Sequence, residues 1–81
     1  MKDITVYSTS WCGFCHQLKA WLTEKGLEFD EINIEDDEQA AKDVVEATKQ
    51  MGVPVTKIKD TYIVGFDRPK LEQLLRQNHL I

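Results

Sequence analysis

The stretch Ile4-Thr5-Val6-Tyr7-Ser8-Thr9-Ser10-Trp11-Cys12-Gly13-Phe14-Cys15 decides how the rest of the chain is read. Its first four residues are β-branched or aromatic and make a good strand. From Gly13 the apolar spacing turns helical, with Leu18, Trp21 and Leu22 on one face. Two cysteines three positions apart therefore stand where a strand gives way to a helix, the setting in which C-x-x-C reads as a redox motif.

Working outward, Gly26 fits the position just past the end of that first helix. Residues 29–34 alternate and read as a second strand. Asp36 is the expected N-cap of a second helix, with Gln39 three residues on. That helix is expected to bury Ala40, Val44, Ala47 and Met51 and to stop at Gly52. Residues 53–58 and 61–64 form a hairpin around Lys59-Asp60. Asp67 is the N-cap of a last helix, with Pro69 in its first turn and Leu71, Leu74 and Leu75 facing inward. The order is β-α-β-α-β-β-α. A right-handed β-α-β crossover makes the first two strands parallel, and the hairpin adds an antiparallel pair. The fold class is α/β: a mixed four-stranded sheet flanked by three helices, in one domain over residues 1–81.

The chain of 81 residues is 42% hydrophobic and 30% charged, a globular balance with room for one core. A disulfide between Cys12 and Cys15 closes too short a loop to remove much unfolded-state entropy. Chemistry is the better reason for the pair. A net charge of −4 argues against nucleic acid as a partner. Seven carboxylates crowd one stretch (Glu28, Asp30, Glu31, Glu35, Asp36, Asp37 and Glu38). They read as a solvated face and a favourable helix start. No apolar run suits a signal core or a membrane span, so the cytoplasm is the expected compartment and no membrane is an expected partner. In that reducing setting a Cys pair is more often catalytic or metal-binding than structural.

Cys12 is placed where the first helix concentrates its unsatisfied amides and the positive end of its dipole, which favours a thiolate. Lower basicity also lowers nucleophilicity, so the larger benefit is that Cys12 leaves readily when an outside thiol resolves a mixed disulfide. Cys15, one turn on and more shielded, is the resolving thiol, and Gly13 permits the tight entry between them. His16 lies four residues after Cys12, where its cation would favour the thiolate, although such a residue is more often just an exposed helix position. Trp11 is expected to pack over the site and assist docking, and Trp21 to lie in the core. Lys57 and Lys59 read as the solvent side of a strand, and His79 carries no visible function. Cys12 to His16 also spells C-x-x-C-H, a haem-attachment signature, but the position after a strand and the absent export signal oppose it. Structural zinc needs four ligands, and His16 and His79 lack the spacing for a second pair.

Residues 7–15, together with Gly52-Val53-Pro54-Val55 and Gly65-Phe66-Asp67, resemble the glutaredoxin family of the thioredoxin superfamily, in order and spacing over nearly the whole chain. Trp11 and the Cys-Gly-Phe-Cys centre look closest to mycoredoxins, and Gly65-Phe66 followed by Arg68-Pro69 is similar to NrdH-redoxins. The resemblance implies a thioredoxin fold and a disulfide oxidoreductase with catalytic Cys12 and Cys15. It places Trp11, Phe14, Val53, Pro54, Gly65, Phe66 and Asp67 against the substrate, with a cis Val53–Pro54 bond facing Cys12. It implies no tightly bound cofactor and no metal, and a monomer acting on protein disulfides or small-thiol mixed disulfides. Glutathione, another small thiol or thioredoxin reductase would supply electrons. Where glutathione-using relatives carry Lys or Arg, this chain has Thr9; where they carry Gly-Gly, it has Val64-Gly65. Asp67 matches the acid that meets the tripeptide's amino group, and Lys49 is a candidate carboxylate contact. The alternative implied activity is iron–sulfur carriage, as in monothiol relatives with Cys-Gly-Phe-Ser; Cys15 is the residue that separates the two.

Overall fold

Strand β1, Ile4–Ser8, is buried along its whole length. The reason is its place inside a four-stranded sheet of order β2-β1-β3-β4. A computed structural model describes residues 3–49, 52 and 54–81. The elements are β1, α1 (Gly13–Glu24), β2 (Asp30–Asn33), α2 (Glu38–Thr48), β3 (Val55–Ile58), β4 (Thr61–Val64) and α3 (Arg68–Gln77). β1 pairs parallel with β2 and antiparallel with β3, and β3 pairs antiparallel with β4. This is the mixed sheet with three helices expected from the sequence, in the thioredoxin-fold order.

Strand alternation sends successive side chains to opposite faces. Ile4 and Val6 of β1, Ile58 of β3 and Ile63 of β4 join Leu18 and Leu22 of α1 and Leu71 and Leu75 of α3 in one core. On the other face Tyr7 and Val55 meet Ala40 and Val44 of α2, with Ile32, Ile34 and Tyr62 packed at the edge. The sheet is therefore covered by α1 and α3 on one side and by α2 on the other. Trp21 is half-buried at the rim of the first core rather than inside it, and Leu74 is likewise half-buried.

Helix ends explain where the elements stop. α1 closes with Gly26 at φ +72, its amide bonded to Thr23 O at 3.0 Å and the Leu27 amide to Leu22 O at 3.1 Å. That is a Schellman closure with its apolar contact, at the glycine expected to end the helix. α3 ends the same way, but with His79 in the left-handed position (φ +58) and Leu80 N bonded to Leu75 O at 2.8 Å. His79 thus has a structural place that the sequence did not suggest.

α2 departs from expectation at both ends. Its N-cap is Asp37, not Asp36: Asp37 Oδ1 accepts from Ala40 N at 3.0 Å. Gln39 donates to Asp43 at 3.0 Å instead of completing a capping box. Among consecutive acids, only the one that lands opposite the third helical amide can cap, and register decides which. The helix stops at Thr48, where Lys49 turns left-handed at φ +60. Ala47 lies on the exposed side of the helix. Met51 and Val53, and with Val53 the expected cis bond, lie outside the described residues.

Candidate functional site

The three helices begin with one geometry and two chemistries. Asp37 caps α2 and Asp67 caps α3, the latter through Oδ1 to Lys70 N at 3.3 Å. At α1 the cap is Cys12, whose Sγ accepts from Cys15 N at 3.2 Å. A sulfur thus occupies the place a carboxylate fills elsewhere, at the end of the helix where amides point outward. Cys12 is 8% exposed and Cys15 is wholly buried beneath it, and both are free thiols. Burial first, and then its bond to Cys12, push the Cys15 thiol up to about 11, while the Thr9 backbone and the Lys19 charge pull the other way. Thr9 also holds the other cysteine, its carbonyl accepting from Cys12 N at 3.4 Å.

The two aromatic residues of the motif stand in solvent, Trp11 76% and Phe14 62% exposed. The His16 ring sits 3.4 Å from the Ser10 carbonyl on the protein surface, not on a sulfur. Pro54 is buried, and its carbonyl accepts from Gly65 N at 2.8 Å, which ties the approach to β3 to the exit from β4. Gly65 has φ +82, a backbone state that favours glycine. Phe66 turns into the α1–α3 core, its ring edge-on to Trp21 with centroids 6.1 Å apart and the Arg68 guanidinium 5.9 Å above it. Lys49, at the end of α2, is exposed.

Beside the thiols a polar recess of about 310 Å³ is lined by Ser8, Thr9, Ser10, His16, Lys19, Glu31 and Asn33. Lys19 of α1 is ion-paired with Glu31 of β2, and Ser8 Oγ donates to the same carboxylate at 3.2 Å. Lys19 is the leading cause that holds the Glu31 carboxyl below its usual range. Ser10 N donates to Glu35 at 3.3 Å. Glu31 and Glu35 belong to the acidic stretch read as a solvated face. The available signal for this cluster was Lys19, one helical turn after Cys15. Two threonine hydroxyls, on Thr9 and Thr56, are buried without a partner among the described residues. No group of three or more metal-ligating side chains occurs among those residues.

A family model described as Glutaredoxin matches residues 4–63. The chain is 34% identical over 74 residues to an uncharacterized glutaredoxin-like 8.6 kDa protein of the rubredoxin operon in Clostridium pasteurianum, covering 91% of this chain and 99% of that one. It is 35% identical over 71 residues to the glutaredoxin-like protein NrdH of Lactococcus lactis, covering 88% and 97%. Among solved structures it is similar to the glutaredoxin of Archaeoglobus fulgidus, with TM-score 0.84 and 26% identity over 94% of this chain and 88% of that one. It is also similar to the NrdH-redoxin of Escherichia coli, with TM-score 0.78 and 28% identity over 88% and 92%.

Proposed function

Because the chain belongs to the glutaredoxin family, whose members are in general thiol–disulfide oxidoreductases, we propose that it reduces protein disulfides or small-thiol mixed disulfides through Cys12 and Cys15. The observation that carries this reading is the Cys12 sulfur serving as helix cap directly above a buried second thiol. That bond fixes the sulfur at the end of the helix where unpaired amides point outward. Cys12 attacks the substrate disulfide, forming a mixed disulfide and releasing one substrate thiolate. Cys15 then attacks the Cys12 sulfur, releasing the second substrate thiolate and leaving Cys12–Cys15 oxidised. Two electrons pass from the pair to the substrate, and an external donor restores them.

Exposed Trp11 and Phe14 supply an apolar rim for a protein substrate beside the sulfur. Pro54 and Gly65, tied to each other through their backbones, present a surface against which an extended substrate segment can lie, and Asp67 retains a second carboxylate oxygen beyond its capping bond. Phe66 serves by holding this loop on Trp21. No resident cofactor is required. The E. coli NrdH-redoxin is described by a thioredoxin-like activity profile. Together with Thr9 in place of a basic residue, this favours thioredoxin reductase over glutathione as electron donor. No described helix is long and apolar enough to cross a membrane; the partners proposed are cytoplasmic ones.

The test is a pair of variants assayed on insulin and on a small-thiol mixed disulfide. Cys12→Ser is expected to abolish both activities, and Cys15→Ser to retain only exchange with a small thiol. Activity surviving in Cys12→Ser would overturn the assignment. The oxidised protein is expected to be reduced rapidly by thioredoxin reductase with NADPH and slowly by glutathione. The reverse ranking would move the donor to the small thiol.

A further inference from the structure

The dithiol reading leaves one step chemically exposed, and this inference rests on that reading. To close on the mixed disulfide, Cys15 must ionise while wholly buried. In the reduced protein burial first, and then the bond to Cys12, push this thiol up to about 11, so the thiolate is the scarce form at neutral pH. In the mixed disulfide the Cys12 sulfur has neither proton nor charge, but the burial of Cys15 remains.

Lys19 follows Cys15 by four residues on α1, the spacing that stacks side chains on one helix face. Its side chain is 22% exposed and ion-paired with Glu31 of β2. The same carboxylate is held by Ser8 Oγ at 3.2 Å, and Ser8 is itself buried at the end of β1. A lysine left free would swing its ammonium into water; this one is tethered to β2 through a carboxylate that β1 also holds. We propose that Lys19 is a positioning residue for the resolving step, its ammonium held by Glu31, which Ser8 in turn anchors, on the helix face of Cys15 where it favours the thiolate.

The charged and titratable groups around Cys15 among the described residues are consistent with this. Cys12 and His16 share α1, with the His16 ring engaged at the Ser10 carbonyl. Glu31 of β2 is the partner of Lys19, β1 contributes the neutral Ser8, and the loop after β1 contributes the Thr9 backbone. From α3, Glu72 is paired with Lys25 at the far end of α1 at 3.3 Å, and Arg68 lies over Phe66. The Lys19 charge already counteracts part of the upward push on Cys15. In the step itself the Cys15 proton passes to solvent and the Cys15–Cys12 bond forms. The bond from Cys12 to the substrate sulfur breaks, and that sulfur leaves as a thiolate.

The experiment follows reaction of the reduced protein with 5,5′-dithiobis(2-nitrobenzoate) by stopped flow. The first thionitrobenzoate released reports attack by Cys12, and the second reports closure by Cys15. In Lys19→Met the first phase should stay within about twofold. The second should slow about two- to fivefold at pH 7, part of the lost thiolate being offset by greater nucleophilicity. The midpoint of its pH profile should move up, and Lys19→Arg should restore both rate and midpoint. Lys19→Gln serves as a second neutral variant if the first is not folded by circular dichroism. A folded neutral variant with an unchanged second phase and midpoint would overturn the inference. A parent protein with no second phase would instead overturn the dithiol reading beneath it.

Discussion

The two faces of the sheet are built to different standards. Under α1 and α3, eight residues at 0–2% exposure interlock, with a rim of Trp21, Leu27, Phe29, Phe66, Leu74 and Leu80. Under α2, Tyr7, Ala40, Val44 and Val55 make a smaller core, and its remaining apolar side chains are only partly covered. Both cysteines belong to the helix on the thicker face. Rigidity is thus concentrated behind the sulfur pair, and α2 is held by two small side chains, Ala40 and Val44. Since burial scales with apolar area, most of the packing stabilisation resides where the thiols must be held in register.

The sharpest way to break this contrast is to remove volume from each face. Leu22→Ala is expected to cost about 3 kcal/mol, from lost transfer energy and the cavity left behind, and Val44→Ala about half that. Urea unfolding of the two variants measures both. Equal losses would show that α2 is no less firmly seated than α1. In the native protein the amides of α2 should also exchange with deuterium before those of α1.

A second effect separates the faces by pH. Each carries one buried acid with a raised value: Cys15 on the α1 side, up to about 11 from 9.0, and Tyr7 on the α2 side, raised from 10.0 chiefly by burial. A raised value means the folded state keeps a proton that the unfolded chain releases. Stability is therefore full below pH 9 and falls as pH rises toward 11. Tyr7 contributes in both redox forms, whereas the Cys15 thiol exists only in the reduced one. Thermal melts of reduced and oxidised protein should diverge above pH 9, and a Cys15→Ala protein should lose the Cys15 share of that decline. Parallel curves would remove Cys15 from the account.

The smallest expected change is a gain. Thr56 of β3 pairs with Val6 and Ile63 on the α1 face, and its hydroxyl is buried without a partner among the described residues. Thr56→Val keeps the shape and removes the desolvated oxygen, so it should stabilise by about 1 kcal/mol. A loss measured in the same urea titration would mean that the hydroxyl has a bonding role in the core.

Much of this organisation was legible in the chain. The strand run from Ile4, the helical spacing from Gly13, Gly26 as a helix stop and the capping Asp67 each state a local preference that the fold obeys. Where the reading slipped, local signals were degenerate. Asp36 and Asp37 are equally good caps by type, and Ala47 is apolar enough to suggest a buried face. Trp11 and Phe66 are both aromatic and both near motif glycines, yet one stands in solvent and the other packs at the rim of the core. The pairing of Lys19 with Glu31 crosses from α1 to β2, so no short window of sequence contains it.

Residue type and spacing alone single out the Cys12-Gly13-Phe14-Cys15 segment as the proposed chemical centre, because a strand ending at a helix start dictates where amides and sulfur meet. What only the tertiary structure decided is the inequality of the two thiols. Packing of α1 on the sheet buries Cys15 completely and pairs Lys19, one turn further along the same helix, with Glu31 of β2. Burial and long-range charge depend on which surfaces meet, and that is a property of the folded whole.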